Sequence, residues 1–130
     1  MSHFSTIKTQ LKKEKPLTKA LNILGYTIDQ DQKFVKGYRG KFTAVDISIN
    51  LPGDTKVGFK WDNNSNSYEL VTDLDLWKFE IPVERFISKV TQMYAYHTII
   101  SKTNEEGYQI VEQKNTNDGS IELVLTKWEN

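Results

Sequence analysis

An apolar stripe at helical spacing after Pro82 constrains the fold of this chain more than any other feature. Five side chains follow one another at intervals of four, three, four and three residues: Phe86, Val90, Met93, His97 and Ile100. This period places them on one face of a single long helix, which Gly107 ends. Such a stripe must be buried against another element of the fold.

A second, shorter helix is predicted earlier in the chain, near residues 15–25. Its apolar face consists of four residues spaced three and four apart: Leu17, Ala20, Leu21 and Leu24. Pro16 is expected at the first helical position, where its missing N–H costs nothing, and Gly25 ends the helix. The long helix is predicted near residues 82–106.

The other segments have the alternation and turn signals of antiparallel strands. Val45, Ile47 and Ile49 alternate with polar residues, which predicts one half-buried strand with these three side chains on the same face. Residues 62–66 form a polar loop between two strands, and residues 117–119 form a turn between the last two. We therefore predict a single α+β domain over residues 1–130, a two-layer sandwich with both helices on one face of an antiparallel sheet.

Several classes of function are excluded by residues that the chain lacks. It has no cysteine, so disulfides, thiolate zinc sites and thiol nucleophiles are ruled out. No Gly-rich phosphate loop follows a strand, and no stretch approaches the length of a membrane span. The first residues resemble neither a secretory signal nor a transit peptide, so we expect a soluble protein that works where it is made.

His97 is one of only two histidines, and its place in the apolar stripe suggests a structural role. We expect it to be largely buried between the long helix and the sheet, with one hydrogen-bond partner. His3 is the only other histidine, and no metal-ligand spacing is present, so we expect no metal and no cofactor. A nucleophile–base motif is also missing, and the chain is not expected to be an enzyme.

The polar face of the long helix offers a better candidate site. Tyr96 shares this face with Arg85, Lys89 and Gln92. A tyrosine on a polar helix face is typical of a protein-binding surface, and equally of a side chain that shields a sheet edge. We therefore expect a non-catalytic interaction or accessory protein that binds another protein. The alternative is a small enzyme or ligand-binding domain with a pocket near Tyr94 and His97.

Two weaker patterns complete the candidates. Asp73 and Asp75 would share one face of a strand, and a solvated strand end is the expectation there rather than paired acid–base carboxylates. Residues 36–42, with the sequence KGYRGKF, match the start of an RNA-recognition signature at Lys36, Gly37 and Tyr38. Arg39 then departs from the signature, so a turn between strands is the expectation.

Four stretches carry a resemblance to a known family. They are MSHFSTIKTQ at the start, GYRG at 37–40, YAYH at 94–97 and NDGSIELV at 117–124. In this order they resemble the family called hypothetical chloroplast reading frame, number thirty-five, over essentially the whole chain. The resemblance implies a single-domain plastid protein, which we expect in the stroma. Together with the binding face of the long helix, this location makes another stromal protein the expected partner. The resemblance implies no catalytic residue.

Tight binding of RNA is not expected, although residues 36–42 leave it open as a third function. Residues 1–41 carry nine Lys/Arg and three Asp/Glu, but the remaining residues carry eight and fourteen. We expect the acidic part to offset the basic part, which leaves few aligned cations for phosphate contacts. Submicromolar RNA affinity with a steep salt dependence, lost when Lys36, Tyr38 and Arg39 are changed, would contradict this in a titration.

Overall fold

The computed structural model describes residues 4–127, apart from the side chains of residues 110 and 111. The helices are α1 (Glu14–Ile23) and α2 (Val83–Glu105). The strands are β1 (Phe4–Lys8), β2 (Thr27–Asp29), β3 (Phe34–Lys36), β4 (Phe42–Ala44), β5 (Ile47–Leu51), β6 (Thr55–Asp62), β7 (Ser67–Asp73), β8 (Tyr108–Asn115) and β9 (Ile121–Lys127). Short 3-10 turns lie at Tyr38–Gly40 and Leu74–Leu76. Both predicted helices are confirmed, to within two residues at each end.

The largest sheet has five antiparallel strands in the order β1-β7-β6-β5-β2. Its centre is the hairpin predicted around residues 62–66, in which Phe59 faces Leu70 and Val57 faces Thr72. On the next strand, Ile47 and Ile49 face Phe59 and Val57. One side of the sheet therefore presents an unbroken apolar surface.

Both helices pack on this apolar side, which confirms the predicted α+β architecture. The core joins residues of both helices to the sheet: Leu11, Leu17, Leu21, Ile47, Ile49, Leu51, Val57, Phe59, Tyr68, Leu70, Val83, Phe86 and Val90. The stripe of α2 is buried only in its first half. Phe86 and Val90 are fully buried, whereas Met93, His97 and Ile100 are half-buried.

The other side of the sheet is covered by the small β3–β4 hairpin. The turn of this hairpin was predicted, but its separation from the main sheet was not. Val35, Val45 and Val71 form a second buried cluster there. The prediction that Val45 faces the same way as Ile47 and Ile49 is therefore wrong. The chain leaves one sheet and enters another at Asp46, whose N–H donates to the Phe59 carbonyl while its carboxylate accepts from the Trp61 N–H.

The last two strands also differ from the expected single sheet. β8 and β9 are joined by the predicted turn, but they form a separate two-stranded sheet that packs against α2. Two-stranded sheets are marginally stable alone, so this hairpin depends on the helix beneath it. Within residues 4–127 no helix combines the length and apolarity required to cross a membrane.

Gly58 tests how closely the β3–β4 hairpin packs on the sheet. A methyl group at this position would lie 2.8 Å from the side chain of Val35 and would also overlap Val45. We expect Gly58→Ala to lower the free energy of unfolding by about 1–3 kcal/mol through overpacking. Urea denaturation measures this loss.

The control is the same substitution in a Val45→Ala background, which removes the Val45 methyl group nearest to the added one. The loss from Gly58→Ala should then be smaller, as expected for residues in direct contact. An equal loss in both backgrounds would contradict the packing of the hairpin against β6.

Candidate functional site

A groove of about 540 Å³ runs between the polar face of α2 and the tip of the β8–β9 hairpin. The helix wall contains all four residues of the predicted binding face: Arg85, Lys89, Gln92 and Tyr96. The opposite wall is contributed by the hairpin, mainly by the turn at residues 118–121 and by Leu123. The structure therefore brings the predicted residues together along one concave surface.

Tyr96 holds the two walls of this groove together. Its hydroxyl donates a hydrogen bond to the side-chain oxygen of Gln113 on β8, with 2.6 Å between the oxygens. Because Gln113 belongs to β8, this hydrogen bond joins the hairpin to α2. Tyr96 is consequently half-buried and part of the scaffold as well as part of the surface.

The charges of the groove are unevenly placed. Arg85 and Lys89 are exposed along the helix wall, and Asp118 stands in the hairpin turn. Hydrogen bonds from the Thr116 hydroxyl and then from the Ser120 N–H hold the pKa of Asp118 below its usual range. The Asp118 carboxylate is thus hydrogen-bonded within its own turn, whereas Arg85 and Lys89 are exposed to solvent.

Apolar side chains remain uncovered beside the groove. Ile99 is 45% exposed on α2, and Val124 and Leu125 are 46% and 42% exposed on β9. Isolated exposed apolar residues are common, but here they accompany a concave surface with an aromatic residue and two cations. This combination is typical of a surface that binds another molecule.

His97 lies in a different place from the one expected. It lines a second cavity, of about 510 Å³, between the start of α1 and the C-terminal half of α2. The side chain is half-buried and faces α1 rather than the sheet, so the expectation of a largely buried core histidine is wrong. The apolar stripe placed His97 on a partly buried side of α2, but the residues opposite it in the cavity come from the start of α1.

No hydrogen-bond partner for Nε2 of His97 is found within residues 4–127, although this atom is buried. The expected single hydrogen bond is therefore not present at Nε2. Burial, and secondarily the nearby charge of Lys19, lower the pKa of His97 below its ordinary value of 6.5. His97 is held neutral near pH 7 in a site that does not complete its hydrogen bonding.

Tyr94 has a positioning role beside this second cavity. Its hydroxyl accepts hydrogen bonds from the backbone N–H groups of Lys12 and Lys13, at 3.1 and 3.0 Å. The segment before α1 is thereby fixed against α2. Of the predicted pair, only His97 lines the cavity. Tyr94 instead fixes the backbone beside it.

The lysines around His97 were missed by sequence reasoning. Lys13, Lys15 and Lys19 belong to the segment that leads into α1 and to its exposed face, more than 75 residues from His97 in the chain. A lysine-rich helix start is usually a solvated surface, and only the packing of α1 on α2 shows that it closes a cavity. His3 lies outside the described residues, and among those described no group of three or more metal-ligating side chains occurs.

The structure also tests the predictions for Asp73 and Asp75 and for residues 36–42. Asp73 is buried at the end of β7, where its carboxylate accepts from the N–H groups of Tyr38 and Asp75, each at 3.0 Å. The expected solvated strand end is therefore wrong for Asp73, and Asp75 lies in the following 3-10 turn. Residues 36–42 form the predicted turn, with Arg39 in the left-handed region at a φ of 58°.

The titration of His97 yields a prediction for stability. Because its pKa is lower in the folded protein, the unfolded chain binds the proton more readily. The free energy of unfolding that neutral His97 contributes is fully present above about pH 6.5. It is lost as the pH falls towards the pKa of His97 in the folded protein. As the pH is lowered from 7.5 to 5.5, we expect the original protein to lose stability that the His97→Leu variant keeps. Urea denaturation of both proteins at each pH measures this difference.

His3 provides an internal reference for the same experiment. The ring resonances of both histidines can be followed by NMR, and that of His97 should titrate below 6.5. An unchanged stability difference across this pH range, together with a His97 pKa at or above 6.5, would contradict the neutral, desolvated state of His97.

Comparisons with known proteins agree with the resemblance seen in the sequence. The family model described as "Protein of unknown function (DUF1257)" matches residues 20–124. Three proteins named "Uncharacterized protein ycf35" match over 128 residues, or 98% of each chain: those of Guillardia theta at 38% identity, Pyropia yezoensis at 36% and Cyanophora paradoxa at 33%. No solved structure matches the chain. Since the family model spans most of the chain and the relatives span nearly all of it, the chain belongs to the plastid family of hypothetical chloroplast reading frame thirty-five.

Proposed function

We propose that this protein is a non-catalytic binding protein of the plastid stroma that holds a segment of a partner protein in the groove between α2 and the β8–β9 hairpin. The observation that carries the proposal is the groove itself. It places Arg85, Lys89 and Tyr96 beside uncovered aliphatic side chains in a space of about 540 Å³. That volume is in the range of sites that accept a few side chains of a bound segment.

The charges of the groove indicate the chemistry of the partner. Arg85 and Lys89 lie one helical turn apart on the same wall, and both are exposed. A carboxylate of the partner would meet two cations there, and such pairs favour correct orientation and faster association. Ile99 and Leu123 line the groove further along and suit an apolar side chain. The proposed partner segment therefore combines acidic and apolar residues.

The separate hairpin gives this groove a means of adjusting to its partner. β8 and β9 pair only with each other within the described chain, and the apolar side chains of Val124 and Leu125, on opposite faces of β9, remain exposed. A partner that covers these side chains would bury apolar surface at about 25 cal/mol per Å² before the costs of association. The hairpin is thus a wall that a bound partner would stabilise.

A photo-reactive amino acid placed at Ile99 tests where the partner binds. Ile99 is exposed within the groove, so a partner held there should be cross-linked when the protein is incubated with plastid stroma. The same probe at Lys60, an exposed residue of the main sheet, is the matched position outside the groove. We expect one reproducible cross-linked protein at position 99 and none at position 60.

Charge reversal then tests the chemistry with that protein purified. Arg85→Glu combined with Lys89→Glu should weaken its affinity by at least about tenfold in a calorimetric titration, because attraction becomes repulsion. Lys60→Glu is the control and should leave the affinity unchanged. Equal affinities for the two variants, or equal cross-linking at positions 60 and 99, would contradict a partner site in this groove.

A further inference from the structure

The cavity beside His97 has an unusual concentration of positive charge. Lysines line it from both sides: Lys13, Lys15 and Lys19 from the α1 side and Lys102 from α2. Glu105 is the acidic residue among the lining side chains. Within residues 4–127, none of these four lysines has a carboxylate at ion-pair distance. Four cations facing one concave space repel one another, and a bound anion would remove that repulsion.

We propose that this cavity is a binding site for a small phosphate-bearing anion. It lies on a different face of α2 from the groove of the proposed partner site, and the two share no lining residue. With a volume of about 510 Å³, it exceeds what a single phosphate group needs. The ligand class is therefore a phosphorylated small molecule or a polyphosphate rather than a lone inorganic ion.

The backbone around the cavity favours an anion as well. α1 begins here, and its first turn has no side-chain cap. The N–H groups of Glu14 and Lys15 and the positive end of the helix dipole lie at the start of the helix, where phosphate groups commonly bind, although Glu14 also places a carboxylate in this turn. Pro16 in the first turn lines the same cavity. This contribution adds to the four lysines and would be insufficient without them.

The lysine wall is held in place before any ligand arrives. Leu11 is fully buried, and its carbonyl accepts from the Tyr68 N–H at 2.7 Å. The next two residues donate their N–H groups to the Tyr94 hydroxyl. Lys13 therefore extends from a backbone that is anchored on both the sheet and α2. Such preorganisation lowers the ordering cost of binding.

His97 would make the site sensitive to pH. Its ring lines the cavity, and its buried Nε2 lacks a partner among the described residues. The charged groups that surround it are the three lysines of the α1 side, Lys102 and Glu105, and this net positive setting disfavours a protonated ring. A bound dianion reverses that balance and favours His97 in its charged form. Binding and protonation should therefore assist each other.

The donor set is better suited to phosphate than to carboxylate. Lysines act as point charges that can surround a tetrahedral group, whereas planar carboxylates are matched best by the fork of arginine. The lining residues include no arginine, and Ser101 adds a hydroxyl. The hydroxyl of Thr98 is already used, because it donates to the Tyr94 carbonyl at 2.9 Å. Phosphate oxygens thus find four ammonium groups and one hydroxyl.

Titration with inorganic pyrophosphate tests the proposal on the full chain. We expect saturable binding by calorimetry and a shift of the His97 ring resonances in NMR, with His3 as an internal reference. The affinity should be greater at pH 6 than at pH 8, and the pKa of His97 should rise when pyrophosphate is bound. Lys19→Gln with Lys102→Gln should weaken the affinity at least about tenfold, since each removes one cation from opposite walls.

Two controls separate a built site from general attraction of anions. Lys33→Gln with Lys60→Gln removes the same charge elsewhere and should leave the affinity unchanged. All four side chains are exposed, so the folds should be preserved. Equal weakening by both pairs, or no shift of His97 at millimolar pyrophosphate, would overturn the site. Citrate that binds as tightly as pyrophosphate would overturn its assignment to phosphate.

Discussion

The burial of Phe86 and Val90 against the five-stranded sheet determines where the other functional surfaces can form. These two side chains fix the first half of α2 on the apolar side of the sheet. A helix of 23 residues is about 35 Å long, and its buried apolar side chains, Val83, Phe86 and Val90, all lie in its first half. The second half of α2 is accordingly only half-buried by its neighbours. The cavity beside His97 lies along that half, whereas the groove runs along α2 from Arg85 to Ile99.

The helices and most strands could be predicted because their signals are local. Phe86 and Val90 are buried as the spacing requires, and the hairpin around residues 62–66 has the chemistry of a turn. Val45 was misplaced because alternation continues through Asp46, while the chain passes from one sheet to the other at Asp46, whose N–H and carboxylate are hydrogen-bonded to β6. Periodicity reports which residues share a face, but it does not report where a strand is interrupted.

The candidate sites were predictable only to the extent that they lie on one helix. Arg85, Lys89 and Tyr96 share a face of α2, and helical spacing alone groups them. The hairpin wall opposite them, and the lysines opposite His97, come from distant parts of the chain. His97 shows the limit most clearly, since its stripe indicated a buried residue but not which element would bury it. The T-shaped contact between the Tyr96 and His97 rings, at 5.2 Å, places the two sites side by side.

Both proposed sites require another part of the chain to pack against α2. The β8–β9 hairpin packs on one face of the helix, and the start of α1 packs on another. Nuclear Overhauser effects in the free protein test this most directly. We expect contacts between the Tyr96 ring and the methyl groups of Leu123, and between the His97 ring and the side chain of Lys19. The contrary result would be the absence of both sets while the contacts of Phe86 and Val90 with the sheet are present. In that case neither the β8–β9 hairpin nor the start of α1 would pack against α2. Both proposed sites would then be contradicted.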